Sequence, residues 1–164
     1  MTGIYPASLP EVKLISALAN KIWPKVYDYM ISQEQIRYML ELLYTEEALS
    51  RQISHGQDFI VYYHDSIPLG FAAFAPEAQA GFYKLHKLYL DPSMQGKSIG
   101  LALLNHVMDM AMKAEAHTLW LNVNKYNKTI SFYEKHGFKI SSEVVIDIGG
   151  GHVMDDYVME RKLG

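Results

Sequence analysis

The stretch Gln95-Gly96-Lys97-Ser98-Ile99-Gly100 carries the most chemistry per residue in this chain. It follows a β-rich run (Tyr83, Leu85, Leu88, Tyr89, Leu90) closed by Asp91-Pro92, because proline cannot donate to a sheet ladder. It precedes apolar residues at Leu103, Leu104, Val107, Met108, Ala111 and Ala114, which is helical spacing. A glycine-bearing loop that opens a helix leaves the first amides unpaired. It also lets a ligand approach the backbone closely. Those donors and the positive helix end favour an anion such as a phosphate. The loop matches neither GxGxxG nor GxxxxGK[ST], so the common dinucleotide and P-loop sites are not expected. The chain has no cysteine. Thiolate nucleophiles, disulfides and thiolate metal sites are therefore excluded. Its seven histidines show no metal-ligand spacing, so no metal is expected.

The elements around the loop can be read in order. Ser8-Leu9-Pro10-Glu11 is a helix start, continued by Leu14, Ile15, Leu18, Ala19 and Ile22 on one face. Pro24 is expected to end or bend that helix. Ser32 and Thr45 open two more helices, the second stopped by Gly56. The period then changes to two. Phe59–His64 and Ile67–Phe74 form a hairpin across Asp65-Ser66, and Gly81–Leu90 gives a third strand. After the loop and its helix come a buried strand at Thr118–Val123 and a helix at Asn127–Lys135 with Gly137 as its stop. A final hairpin, Phe138–Ile148 and Val153–Arg161, is joined by the flexible turn Gly149-Gly150-Gly151. This order predicts one mixed α/β (α+β) layer fold spanning residues 1–164.

At 164 residues the chain is long enough for a full core without staples. A net charge of −3 gives no basic face for nucleic acid or a membrane surface. No apolar run reaches membrane length, and no signal pattern opens the chain. A cytoplasmic location is the default expectation.

A second signal lies downstream: Leu121-Asn122-Val123-Asn124, then Asn127, then Phe132-Tyr133-Glu134-Lys135-His136-Gly137-Phe138. Together, and in this order, the two stretches resemble the GNAT superfamily of acetyl-CoA-dependent N-acetyltransferases. The first is similar to its [RQ]-x-x-G-x-[GA] pyrophosphate loop, the second to its strand, Asn and F-Y-x-x-x-G-F helix. The resemblance runs from about Ser8 to Leu163 and implies a mixed sheet of six or seven strands, splayed at its centre where the cofactor inserts. The middle glycine of the loop pattern is Ser98 here. If that position needs φ > 0, serine costs about 1 kcal/mol or more; if it need only be small, serine fits.

The resemblance also implies roles. Gln95, Gly96, Lys97, Ser98, Ile99, Gly100 and Leu101 would hold the pyrophosphate of acetyl-CoA. Leu88, Tyr89 and Leu90 would pair with the pantetheine arm as if it were another strand. Asn124, Asn127 and Tyr133 would lie along the same arm; for Asn127 a plain helix cap is the alternative. Tyr133 matches the family's general acid. A phenol of pKa about 10 protonates a thiolate of pKa about 8.5 at a cost of ~2 kcal/mol. Freeing an ammonium of pKa about 10.4 at pH 7 costs ~4–5 kcal/mol, the harder step. His86 sits near the position where many members carry a Glu, and an imidazole is matched to neutral pH as a base. Trp23, Tyr27, Tyr29 and Tyr38 offer an apolar or cation-stacking wall, and Asp147, Asp155 and Asp156 a cationic anchor; core packing and solvated turns are the simpler readings.

The leading expectation is direct acetyl transfer to a primary amine of a small molecule, with a weaker resemblance to the bacterial spermidine/spermine N-acetyltransferase branch. The rivals are a peptide or protein N-acetyltransferase and a non-catalytic acyl-CoA-binding sensor module. A homodimer through the C-terminal strands is compatible with all three.

Overall fold

The computed structural model describes residues 1–164. Its centre is a seven-stranded sheet in the order β1-β2-β3-β4-β5-β7-β6. The strands are β1 (Gly3–Ala7), β2 (Asp58–His64), β3 (Ile67–Pro76), β4 (Phe82–Leu90), β5 (Thr118–Asn124), β6 (Lys139–Gly149) and β7 (His152–Lys162). Only the β4–β5 pairing is parallel. Helices α1 (Val12–Tyr27), α2 (Gln33–Leu43) and α3 (Glu46–Ser54) cover one face, and α4 (Ile99–Lys113) and α5 (Ile130–Lys135) the other. Each face has its own core: Ile15, Ile22, Trp23, Leu49 and Phe71 on the first, Leu103, Leu104, Leu119, Leu121 and Phe138 on the second. The expected mixed α/β sheet with flanking helices is what the chain forms.

Three departures have physical reasons. Strand β1 was not expected, because its five residues bury only Ala7 and include Pro6. It is an edge strand, and proline is tolerated where one side of the ladder is open. Pro24 does not end α1, which runs on to Tyr27. A helical proline leaves the carbonyl four residues back, that of Asn20, without its amide. That residue is solvent-exposed, so the carbonyl is open to water, and burial of Trp23 and Tyr27 on either side offsets the cost of about 3 kcal/mol. The glycine turn after β6 is not a slack connection. A Cβ on Gly150 would meet the Tyr38 ring at 2.5 Å, so glycine is what lets that ring pass.

Asp65 and Ser66, with φ of 49° and 65°, make the tight β2–β3 turn, whose left-handed residues suit the twist of a hairpin.

Candidate active site

Two irregularities in the sheet create the site. Strands β4 and β5 pair only at Phe82–Thr118, Tyr83–Leu119 and Lys84–Trp120. Beyond these rungs β5 stays paired with β7 up to Asn124, while β4 stays on β3 up to Leu90. The sheet therefore splits, and the edge of β4 from Leu85 onward keeps backbone donors and acceptors facing an open gap. The second irregularity is a bulge in β4. Ala73 pairs with Lys87 and Phe74 with Leu85, which leaves His86 as the extra residue. The bulge switches strand parity. Leu85 therefore packs in the α4–α5 core together with Leu88 and Leu90, although it is an odd-numbered residue. A cleft of about 880 Å³ fills the split.

The anion loop forms one end of the cleft. Gln95, Gly96, Ser98, Ile99, Gly100 and Leu101 all line it. Asp91 accepts hydrogen bonds from the Ser93 amide (3.0 Å) and hydroxyl (2.8 Å), and Lys21 of α1 pairs with it at 3.3 Å. Burial raises the Asp91 pKa, but these partners outweigh it and hold the carboxyl below its usual range. The loop is thereby tied to both β4 and α1. Ser98 occupies the residue before α4 with φ 61°, so this position does require the left-handed region. Ser98→Gly is expected to stabilise the fold by about 0.5–1 kcal/mol net of glycine's extra chain entropy. The readout is a rise in Tm of about 1–4 °C, and no change would show the strain to be relieved elsewhere. Lys97 does not line the cleft; its side chain is exposed.

Asn124 and Asn127 both reach the cleft, and both use their side-chain carbonyls locally. Asn124 Oδ1 accepts from the Tyr126 amide at 2.9 Å, and Asn127 Oδ1 from the Thr129 amide and hydroxyl at 2.9 and 2.7 Å. The helix begins only at Ile130, so Asn127 caps the turn before α5 rather than its first turn. Tyr133 projects from α5 into the cleft, its ring held edge-on between Phe132 and Phe138. Burial alone pushes its hydroxyl above the ordinary phenol value, so it is protonated throughout the physiological range.

The other end of the cleft lies under α1. Trp23 and Tyr27 stack at 4.3 Å between centroids, and the Tyr27 and Tyr89 hydroxyls share a 2.9 Å hydrogen bond. Trp23 and Tyr27 are core residues that also line the cleft. Tyr29 is half-exposed and outside it. Its hydroxyl accepts from the Lys128 amide at 3.0 Å and its ring carries the Lys128 ammonium at 4.7 Å, so it latches the α1–α2 loop to the turn before α5. His86 does line the cleft. Burial, then Lys84 and Lys87, push its pKa down to about 4. An imidazole so weakly basic does not match the neutral-pH base expected from its unperturbed value. Asp156 from β7 is 4% exposed, one of its carboxylate oxygens has no partner, and it faces the same cleft.

Sequence reasoning missed Lys87. It is 6% exposed, donates to Gln57 Oε1 at 3.2 Å and lies near the Tyr44 and Phe59 rings. Burial, reinforced by Lys84, lowers its pKa to about 7. In the string Lys84-Leu85-His86-Lys87 nothing distinguishes a buried lysine from a solvated one.

The family model for the acetyltransferase (GNAT) domain matches residues 28–154. The chain belongs to this family. Among sequence relatives it is 40% identical over 81 residues to an uncharacterised N-acetyltransferase of Mycobacterium tuberculosis, covering 49% of this chain and 51% of that protein. The chain thus spans about half the length of that relative. It is 27% identical over 127 residues to the peptidyl-lysine N-acetyltransferase YjaB of Salmonella typhimurium, covering 77% and 78%. Among solved structures it is similar to the PaiA N-acetyltransferase of Thermoplasma acidophilum in complex with coenzyme A. The TM-score there is 0.82 at 27% identity, and 99% of each chain is covered. A GCN5-related N-acetyltransferase from Rhodopseudomonas palustris has the same fold, with a TM-score of 0.83. No helix of this GNAT chain is long and apolar enough to cross a membrane.

Proposed function

We propose that this chain is an acetyl-CoA-dependent N-acetyltransferase that moves the acetyl group directly onto a primary amine of a small molecule, polyamines among the candidates. The observation that supports it is a single cleft bounded by an unpaired β4 edge, the Gly96–Gly100 loop, Tyr133 and Asp156. The residues fit the donor. Extended backbone at Leu88–Leu90 suits the amides of a pantetheine arm, and the amides preceding α4 suit a pyrophosphate. The Tyr133 hydroxyl then donates toward the leaving sulfur.

A small acceptor is favoured because the far end of the cleft is latched. Tyr38 of α2 donates to the Ile148 carbonyl at 2.6 Å and Gln35 to the Val153 carbonyl at 2.9 Å, so the β6–β7 hairpin is fastened to the helices. That arrangement holds the β6–β7 turn against α2 at this end of the cleft, which supports the small-acceptor reading. The likeness to a peptidyl-lysine N-acetyltransferase favours the second reading, a lysine side chain of a peptide.

Thiol release from acetyl-CoA, screened against polyamines, amino acids, aminoglycosides and lysine peptides, decides between them. Turnover with free amines and intersecting initial-rate lines support direct transfer to a small molecule. Turnover with peptides alone supports the second reading. Ping-pong kinetics with a trapped acyl-enzyme would refute direct transfer, and acetyl-CoA binding without turnover would identify a sensor module.

A further inference from the structure

His86 is too weak a base to activate the amine at neutral pH, and Lys87 is already engaged with Gln57, whereas Asp156 presents an unpartnered buried oxygen to the cleft. Asp156 shares the face of β7 with Met154, which packs against the α1-side core, and sits between its register partners Asn124 on β5 and Val144 on β6. It is almost fully buried, and one oxygen has neither a hydrogen-bond donor nor a cation against it. A buried carboxylate oxygen without a partner is costly, so this oxygen is suited to accept from a donor that enters the cleft. The groups around it belong to the cleft. Tyr27 of α1, Tyr89 of β4 and Tyr133 of α5 line the same cleft as Asp156, whose charge adds to the burial that raises the Tyr27 and Tyr89 hydroxyls.

We propose that Asp156 accepts the proton of the incoming ammonium, and that the acceptor is a small organic cation seated between this carboxylate and the aromatic wall of Trp23, Tyr27 and Tyr89. The assignment rests on the acetyl-transfer reading above. The protons balance. The ammonium gives one proton to Asp156, and the free amine attacks the thioester carbonyl. The carbon–sulfur bond breaks and the sulfur takes the Tyr133 proton. The nitrogen's second proton, shed as the amide forms, restores the Tyr133 hydroxyl, and Asp156 releases its proton to solvent. The wall suits a cation, because ring faces attract it while the carboxylate holds its N–H groups.

The charges facing Asp156 set the pH at which it works. Burial and the neighbouring Asp155 carboxylate raise its pKa to about 6, while Lys84 on β4 pulls it down. Asp155 itself is held by Lys125 at 2.9 Å, which turns that second carboxylate out of the cleft chemistry. A base with this value is ionised at neutral pH and still able to hold a proton briefly.

The test takes the best amine from the thiol-release screen and measures kcat/KM from pH 5 to 10 for the intact protein, Asp156→Asn and Asp156→Glu. Calorimetry supplies the acetyl-CoA Kd of each. The unmodified protein is expected to lose activity below about pH 6. Asp156→Asn is expected to fall by about 100-fold or more at pH 7, to keep its acetyl-CoA Kd, and to regain rate as alkali deprotonates the amine in solution. Asp156→Glu should restore part of the loss. A loss under threefold, or a loss of the same size at pH 7 and pH 10, would overturn the assignment; the second result would leave Asp156 a fixed anchoring charge. If neither amine nor peptide turns over while acetyl-CoA still binds, the acetyl-transfer reading fails and the assignment falls with it. A defect confined to the Asp156 variants cannot arise that way.

Discussion

Replacing Tyr133 with Phe is expected to lower kcat by about 100- to 1000-fold, the range for loss of a positioned acid. The acetyl-CoA Kd should stay within about twofold, because the change removes an oxygen and leaves the ring. That ring is what packs against Phe132 and Phe138, so the fold is unaffected. The environment also constrains how the hydroxyl works. In water a phenol gives its proton to a thiolate at a cost of ~2 kcal/mol. Burial raises the Tyr133 pKa further and makes a free tyrosinate costlier still. Full transfer ahead of the other steps is therefore disfavoured. In the proposed mechanism the hydroxyl would serve as a hydrogen-bond donor that passes its proton as the amine's second proton arrives. Stopped-flow measurement of thiol release in the variant checks this, and a kcat reduced less than threefold would remove Tyr133 from the mechanism.

Lys87→Met is expected to stabilise the protein, and by more at low pH. Folding lowers the Lys87 pKa from 10.5 to about 7. A lysine lowered in this way binds fewer protons folded than unfolded between those two values, so stability rises with pH across that window. The penalty is complete below about pH 7 and is gone above about pH 10.5. At full strength the shift corresponds to about 5 kcal/mol. Losing the bond to Gln57 returns about 1 kcal/mol, and relaxation around a buried charge takes a further share. A net gain of about 2–3 kcal/mol at pH 6 follows, shrinking toward pH 9.5. Denaturant unfolding at the two pH values measures it. An equal effect at both would mean that Lys87 is not penalised by burial. A polar group kept at such a cost on the lining of the candidate cleft is what stability yielded to function would look like.

The residues at the donor end of the cleft were legible because their spacing is local. The loop from Gln95 to Gly100 and the α5 segment around Tyr133 each encode a turn or cap in adjacent residues, and all but Lys97 of the proposed cofactor-binding set line the cleft. The acceptor side was less legible because it depends on parity and on long-range packing. The extra residue at His86 re-aims the side chains around it, and that is visible only against the register with β3. It puts Lys87, which looks solvated in its basic string, into the α1–α3 core face with Tyr44 and Phe59. Tyr29 shares its type with Tyr27 and lies two positions on, yet it falls past the end of α1 and outside the cleft. Asp156 reads like Asp155 in sequence; strand alternation makes one an ion-pair partner at 2.9 Å and the other a buried carboxylate.

The split sheet has a consequence for motion. Strands β1–β4 and β5–β7–β6 are joined edge to edge by only three rungs, at Phe82, Tyr83 and Lys84. Amides along β4 beyond those rungs that face the gap should exchange with solvent deuterium far faster than those bonded to β3, although both lie at the centre of the molecule. Acetyl-CoA should slow that exchange selectively on β4, joining two cooperative units into one. On the proposed binding mode, the donor substrate would double as the clasp that sets how independently the two halves open.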